Sequence, residues 1–172
     1  MQCFMRALSA AAIATAVWGC HDGFAPVGDT TMLSMVPAGG TTNADPTGPV
    51  VVEFSHAMRM GMEQYVALHE GDVTGPVVQG MWTWSSDRLT LTFTPATPLK
   101  AQTQYTLHLG GGMMDANGNL LNYDHCTSQH GGQWATQSMM GGSMMGGMSN
   151  MMGAGWQHAN GTYGMVFGFT TA

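Results

Sequence analysis

A methionine-rich segment near the end of the chain holds the residues whose chemistry stands out most. Gly, Ser and Asn residues separate seven methionines between residues 139 and 152: Met139, Met140, Met144, Met145, Met148, Met151 and Met152. The glycine pairs disfavour a helix and the Met-Met pairs break strand alternation, so the spacing predicts a flexible loop. Thioether sulfur is a soft, uncharged ligand that binds Cu(I) and, by the same softness, Ag(I). The segment therefore predicts a copper site, most naturally for Cu(I).

Imidazole and thiol groups lie near this segment in the sequence. Such ligands would raise the affinity and let Cu(II) or Zn(II) enter, and the candidates are His125, Cys126, His130 and His158. A second candidate pair is Met60 and Met62, which flank a glycine. Met58 is expected to pack in the core. His69 and His108 are expected on the solvent-facing sides of strands.

Methionine also has uses that need no metal. It is a flexible gap-filler that populates adaptable contact surfaces. A Met-Gly segment could therefore fold over an exposed sheet face as a hydrophobic lid. It could also be a disordered linker, or a sink for oxidants whose sulfoxides are later reduced.

The charge balance excludes one large class of function. Of 172 residues, 4 are Lys or Arg and 10 are Asp or Glu, which gives a formal net charge of −6. A chain with so few cationic residues cannot neutralise phosphates, so no nucleic-acid partner is expected. The carboxylates are scattered and no nucleophile motif is present, so the sequence predicts no enzyme. The expected partners are a metal ion and a protein of the cell envelope.

The N-terminus carries the pattern of an export signal. Residues 1–19 hold Arg6 followed by an apolar run at 7–18, which is too short to span a bilayer and fits a signal peptide. The run ends in Val17-Trp18-Gly19-Cys20, which resembles a bacterial lipobox. This predicts lipidation of Cys20, a lipid anchor as the only membrane contact, and a place on the outer membrane, on its periplasmic or surface side. The alternative is ordinary cleavage that leaves Cys20 free. Residues 20–31 are polar and aperiodic and predict a tether.

Short predicted β-strands form the scaffold that positions these candidate ligands. Apolar and polar residues alternate with period two at 50–54, 89–94 and 105–109, and shorter runs occur at 65–68 and 77–84. Turn residues separate the runs, and no helical pattern interrupts them. The sequence therefore predicts an all-β fold, a single antiparallel β-sandwich over residues 32–172.

Six motifs in order resemble a known family. They are PAGG at 37–40, VVVEFSHAM at 50–58, LTLTFTP at 89–95, TQYTL at 103–107, DANGN at 115–119 and FGFTT at 167–171. Together they resemble the bacterial Ig-like domains of S-layer and surface proteins, of the SbsA type. The resemblance implies an Ig-like sandwich in a surface setting and no enzyme activity. Tyr105 suits a tyrosine corner, and the DANGN run suits a family turn better than a calcium loop.

The chain departs from the family pattern between its last two motifs. About forty residues at 122–161 intervene where the family passes to its last strand within a few. An insertion of this length without a strand pattern is functional or disordered. The leading hypothesis is a lipoprotein whose Met/His-rich insertion binds copper for sequestration or tolerance. The alternative is a cell-surface structural or adhesion module that uses the insertion as an apolar contact patch.

Overall fold

Two antiparallel sheets form the domain in a computed structural model that describes residues 28–140 and 151–172. The first sheet has the strand order β1-β2-β5-β4 and the second has β3-β6-β8-β7. The strands are β1 Met32–Val36, β2 Val50–Phe54, β3 Val66–Glu70, β4 Gly80–Trp84, β5 Thr90–Pro95, β6 Gln104–Leu109, β7 Gln133–Trp134 and β8 Met165–Thr170. A 3-10 helix spans Met62–Tyr65, and a six-residue helix, α1, spans Asp124–Gln129. The prediction of an all-β sandwich is confirmed.

Several predicted features lie outside the described residues. These are the signal peptide, Cys20, the tether up to residue 27, and Met144, Met145 and Met148. Within the described part of the chain, no helix is both long enough and apolar enough to cross a membrane.

Apolar side chains at alternate positions of the strands fill the space between the sheets. Val52 of β2 pairs with Leu91 of β5, and Val50 pairs with Phe93, and all four side chains are buried. Tyr105, which lies on the inner face of β6, stacks on Phe169 of β8 with ring centroids 5.8 Å apart. We call this inner layer the main core; its other large buried side chains include Phe54, Leu68, Leu107, Leu109 and Phe167. Burial of this apolar surface is the dominant favourable term in folding.

Polar side chains fix two of the connections between strands. The Tyr105 hydroxyl accepts a hydrogen bond from the Lys100 backbone N–H at 2.8 Å, as predicted for a tyrosine corner. Asp115 is buried and accepts hydrogen bonds from the backbone N–H groups of Asn117 and Asn119 and from the Thr30 hydroxyl. Because Thr30 is itself buried, the folded domain begins before Met32, inside the predicted tether.

The described part of the insertion is folded, contrary to the prediction of a segment without strands. Strand β7 pairs with β8, and the Ala135 and Tyr163 backbones extend this ladder through hydrogen bonds of 2.8 Å. Further on, the Trp156 carbonyl accepts a hydrogen bond from the Gly111 N–H at 2.8 Å. These bonds fasten the insertion to the second sheet, so that its side chains reach the outer face of that sheet.

A second cluster of buried apolar side chains covers this outer face. Its members are Ala67, Val73, Ala135, Met140, Met151, Trp156, Tyr163 and Val166. Strand β6 is consequently buried on both faces from Tyr105 to Leu109, rather than half-buried as its alternation predicts. The prediction that His69 and His108 face solvent is wrong for the same reason, because both are buried under the insertion.

Candidate metal site

The two ends of the methionine segment meet at the second cluster. Met140 and Met151 are buried there, with 1% and 8% of their surface exposed, whereas the neighbouring Met139 and Met152 are exposed. Met140 and Met151 therefore lie at one place on the domain. Met140 and Met151 act here as apolar packing, which is the lid interpretation, while Met139 and Met152 are exposed to solvent.

Cys126 lies apart from the histidines that flank it in the sequence. Its side chain is completely buried in the main core, and its Sγ lies 3.9 Å from the Asn122 carbonyl. Burial raises the pKa of the Cys126 thiol to about 11. Because a metal needs the thiolate, this cysteine is ill-suited to the role of ligand that its position in the sequence suggested.

His125 and His130 lie side by side at the ends of α1. Their ring centroids are 6.2 Å apart, and His125 is exposed while His130 is half-buried. The His130 Nε2 donates a hydrogen bond to the Met32 carbonyl at 3.0 Å, which leaves Nδ1 as the nitrogen with a lone pair. The two imidazoles are thus brought together, without the Cys126 sulfur.

His158 sits among aromatic rings. Its ring centroid lies 5.0 Å from that of Trp134 and 5.7 Å from that of Tyr123, and its Nδ1 accepts a hydrogen bond from the Asn160 N–H. Among the described residues, no group of three or more His, Cys, Asp or Glu side chains could hold a metal ion. A site with three or more ligands that includes His125, His130 or His158 therefore needs ligands of another kind, such as thioether sulfur.

Met60 and Met62 point to different environments. Met60 is 77% exposed, whereas Met62 is buried in the main core, where its Sδ accepts a hydrogen bond from the Met114 N–H at 3.4 Å. The two sulfurs flank a glycine in the sequence but do not form an exposed pair. Met62 packs like Met58, which is fully buried as predicted.

Two histidines that the sequence reasoning set aside lie beneath the insertion. His69 of β3 and His108 of β6 stand on the same outer face, because Ala67 pairs with His108 and His69 pairs with Thr106. Their ring centroids are 6.2 Å apart, and Trp156 covers His108 with its ring centroid at 4.7 Å. The sequence signal was available in the period-two spacing on two strands, but the burial of His108 depends on Trp156, which is distant in the sequence.

Burial changes the acid-base behaviour of both rings. Burial lowers the pKa of His108 to about 4. The hydrogen bond to the Tyr163 carbonyl raises this pKa, and the nearby His69 lowers it further, but burial has the largest effect. Burial also lowers the pKa of His69, although its hydrogen bond to Gly75 and the charge of Asp72 oppose this. Both imidazoles are therefore neutral near pH 7.

An open cleft of about 270 Å³ lies beside the second cluster on the same sheet face. Its walls include Asp72, Thr106, Gln133 and the exposed Met139. Because Thr106 is the cross-strand neighbour of His69, the cleft approaches the buried histidines from the side.

The chain is similar in part to several solved structures. The chain has a TM-score of 0.41 and 16% identity to surface layer protein SbsC, domains 1–6, over 55% of this chain and 12% of that one. With L,D-transpeptidase 1 of Mycobacterium tuberculosis the TM-score is 0.37 and the identity 19%, over 46% of this chain and 35% of that one. With the native conformation of E. coli alpha-2-macroglobulin the TM-score is 0.42 and the identity 14%, over 56% of this chain and 6% of that one. The chain thus matches about a third or less of the length of each. No protein of curated function matches the sequence.

The family itself is clear from the sequence. The bacterial Ig-like domain family matches residues 28–129, more than half of the chain. The match begins just before buried Thr30 and ends with helix α1, so it covers six of the eight described strands. The chain belongs to the bacterial Ig-like domain family.

Proposed function

We propose that the protein is a non-enzymatic envelope lipoprotein that binds Cu(I), or Ag(I), through its methionine segment. The observation that carries the proposal is the anchoring of that segment. Met140 and Met151 pack in one cluster on the domain, and Met139 and Met152 stand exposed beside them. Anchoring Met140 and Met151 in one cluster holds the exposed Met139 and Met152 on the same side of the domain, which lowers the entropy lost when both bind one ion.

The ligand set is narrower than the sequence suggested. Buried Met140 and Met151 hold the segment in place, and the buried thiol of Cys126 stays protonated. The sulfur ligands are then Met139, Met144, Met145, Met148 and Met152, with imidazole from His125, His130 or His158 as a supplement. Neutral thioethers favour a soft monovalent ion over a hard one.

The proposed role is copper sequestration or tolerance in the cell envelope. Export by the signal peptide and lipidation of Cys20 would fix the domain to the outer membrane, where it could buffer the ion or pass it to a protein partner. The Ig-like sandwich would serve as the platform. The scattered carboxylates and the absence of a nucleophile motif support a binding role rather than catalysis.

A Cu(I) titration against a competing chromophoric chelator, under reducing conditions, tests this function. The five-Leu variant replaces Met139, Met144, Met145, Met148 and Met152 by Leu, and it is expected to bind at least one ion fewer than the wild type. The matched control replaces buried Met140 and Met151 by Leu and should retain the wild-type stoichiometry. Equal binding by the wild type and the five-Leu variant would refute the thioether site.

A surface structural or adhesion module is the second candidate. The apolar packing of Met140 and Met151 favours it, because these methionines already serve as hydrophobic side chains. Exposed Met139 and Met152 would then be contacts for a protein partner. In that case the five-Leu variant keeps its function, and added copper changes nothing.

A further inference from the structure

The two buried histidines carry an unusual pattern of hydrogen bonds. His69 Nδ1 donates to the Gly75 carbonyl at 3.0 Å, and His108 Nε2 donates to the Tyr163 carbonyl at 2.7 Å. Because a carbonyl oxygen can only accept, these two nitrogens carry the hydrogens of the neutral rings. The other nitrogens, His69 Nε2 and His108 Nδ1, therefore carry lone pairs.

Neither lone pair has a partner among the described residues. His69 Nε2 and His108 Nδ1 are both buried and accept no hydrogen bond. Leaving one such group unsatisfied costs about 1–3 kcal/mol, and native proteins rarely tolerate it without a reason such as a bound ion. Here two occur on neighbouring strands and on the same face of the sheet.

The same pattern is the usual preparation of a histidine for a metal. A metal-bound imidazole generally donates its second N–H to a backbone carbonyl or carboxylate, which fixes the tautomer and aims the other nitrogen at the ion. We propose that His69 Nε2 and His108 Nδ1 together bind one soft monovalent cation, Cu(I) or Ag(I), beneath the insertion.

The spacing of the rings suits a shared ion. Their centroids are 6.2 Å apart. Two metal–nitrogen bonds of about 2 Å, with about 1 Å from each nitrogen to its ring centre, span roughly 6 Å when the ion lies between the rings. The distance between the ring centroids therefore matches that of a two-coordinate ion.

The surroundings select a monovalent ion. Apolar side chains of the second cluster, Trp156 among them, exclude water, and both ligands are neutral. A divalent ion would bring twice the charge into this apolar layer and would require further ligands, commonly four in all. Asp72 acts electrostatically on His69 and could balance a single positive charge. The thioethers of Met140 and Met151 give the same layer a soft character.

The cleft lies beside this site. Its walls include Thr106, the cross-strand neighbour of His69, and the exposed Met139 of the methionine segment. The inference goes beyond the proposed function and does not depend on it, because its ligands come from strands β3 and β6. A chain whose methionine segment binds no copper would still hold this site.

Two substitutions remove the lone pairs and keep the hydrogen bonds. In His69→Asn the amide replaces the Nδ1–H donor, and in His108→Gln it replaces the Nε2–H donor. Each amide oxygen is a harder ligand than the imidazole nitrogen that it replaces. His56→Asn is the matched control, since His56 lies outside both sites and its Nδ1 contacts only the Ser55 hydroxyl at 2.8 Å.

The experiment uses the full chain carrying the five-Leu changes, so that the thioether site cannot contribute. Ag⁺ is added to one equivalent while the imidazole nitrogens are followed by ¹⁵N NMR. We expect the signals of His69 Nε2 and His108 Nδ1 to shift together and saturate near one equivalent. In competition titrations, each single variant should bind at least tenfold more weakly and the double variant should lose the ion, while His56→Asn retains it.

Two results would overturn the inference. One is a folded double variant, checked by circular dichroism, that binds Ag⁺ as tightly as its parent. The other is a parent protein whose His69 and His108 nitrogens do not respond to Ag⁺, and this readout decides the matter even where the double variant fails to fold. Both readouts are made in a protein that already lacks the thioether ligands. Failure of the thioether site and failure of the histidine site are therefore distinguishable.

Discussion

At the residue scale, burial decides what the Cys126 thiol can do. The side chain is completely buried and its pKa is raised to about 11, so almost no thiolate exists near neutral pH. We therefore expect iodoacetamide at pH 8 to leave Cys126 unmodified in the folded protein and to alkylate it readily in urea. Peptide mapping by mass spectrometry provides the measurement. Fast modification without denaturant would show that the thiol is accessible.

The buried imidazole of His108 predicts a dependence of stability on pH. Its pKa is about 4 in the folded, metal-free chain and about 6.5 when unfolded. Between these two pKa values the imidazole is protonated in the unfolded state and neutral in the folded state. The free energy of unfolding therefore falls as the pH falls. The free energy of unfolding should be roughly 2 kcal/mol lower at pH 5 than at pH 7 from this group alone, and lowering of the His69 pKa adds in the same direction.

The control for this prediction is His108→Gln, which keeps the hydrogen bond to the Tyr163 carbonyl but cannot titrate. Urea unfolding at pH 7 and pH 5, with a chelator present, should show a smaller pH dependence in this variant. An identical pH dependence in the two proteins would mean that His108 takes up its proton in the folded state.

At the scale of elements, Gly155 ties the insertion to the sandwich. Its φ is +85°, and a Cβ at this position would overlap the ring of Tyr65. The Tyr65 ring in turn meets Trp156 edge-on with ring centroids 6.2 Å apart. A side chain at Gly155 must therefore displace either the Tyr65 ring or the insertion.

Gly161 offers a matched comparison for this contact. It has the same φ of +85°, but a Cβ there would have open space around it. Gly161→Ala should cost roughly 1–2 kcal/mol, the price of a left-handed backbone, while Gly155→Ala should cost roughly 1–3 kcal/mol more because of the overlap. Urea unfolding followed by tryptophan fluorescence measures both. Equal losses would mean that the Tyr65 contact is easily relieved.

The strands could be predicted from the sequence because their signals are local. Leu91 and Phe93 alternate with threonines, and each is buried as that pattern requires. Tyr105 and the turn at Asp115 were likewise predictable from short motifs. The exact ends of the strands and the existence of β7 were harder to predict. Gln133 and Trp134, for example, become a strand only by pairing with β8.

The candidate site was only partly predictable because burial is not local. His69 and His108 look like solvent-facing residues on alternating strands, yet both are buried, and Trp156, far along the chain, covers His108. Cys126 looked like a ligand beside His125, yet the short helix α1 turns it into the main core. Met140 and Met139 are adjacent in sequence but have opposite environments.

At the scale of the whole molecule, the insertion adds a third layer to a two-layer fold. The main core lies between the sheets, and the second cluster lies between the second sheet and the insertion. The resulting three-layer arrangement buries the outer face of β3 and β6. This face carries His69 and His108, and the layer on it includes Met140 and Met151, so both proposed sites share one side of the domain.

X-ray absorption at the copper edge tests the central claim, soft-metal binding on this side of the domain, most directly. The full chain and the five-Leu variant would be saturated with Cu(I) under reducing conditions and freed of unbound metal by gel filtration. The account predicts sulfur and nitrogen scatterers around copper in the wild type, and nitrogen with little sulfur in the variant. Equal sulfur in both proteins, or no copper retained by the wild type, would contradict it.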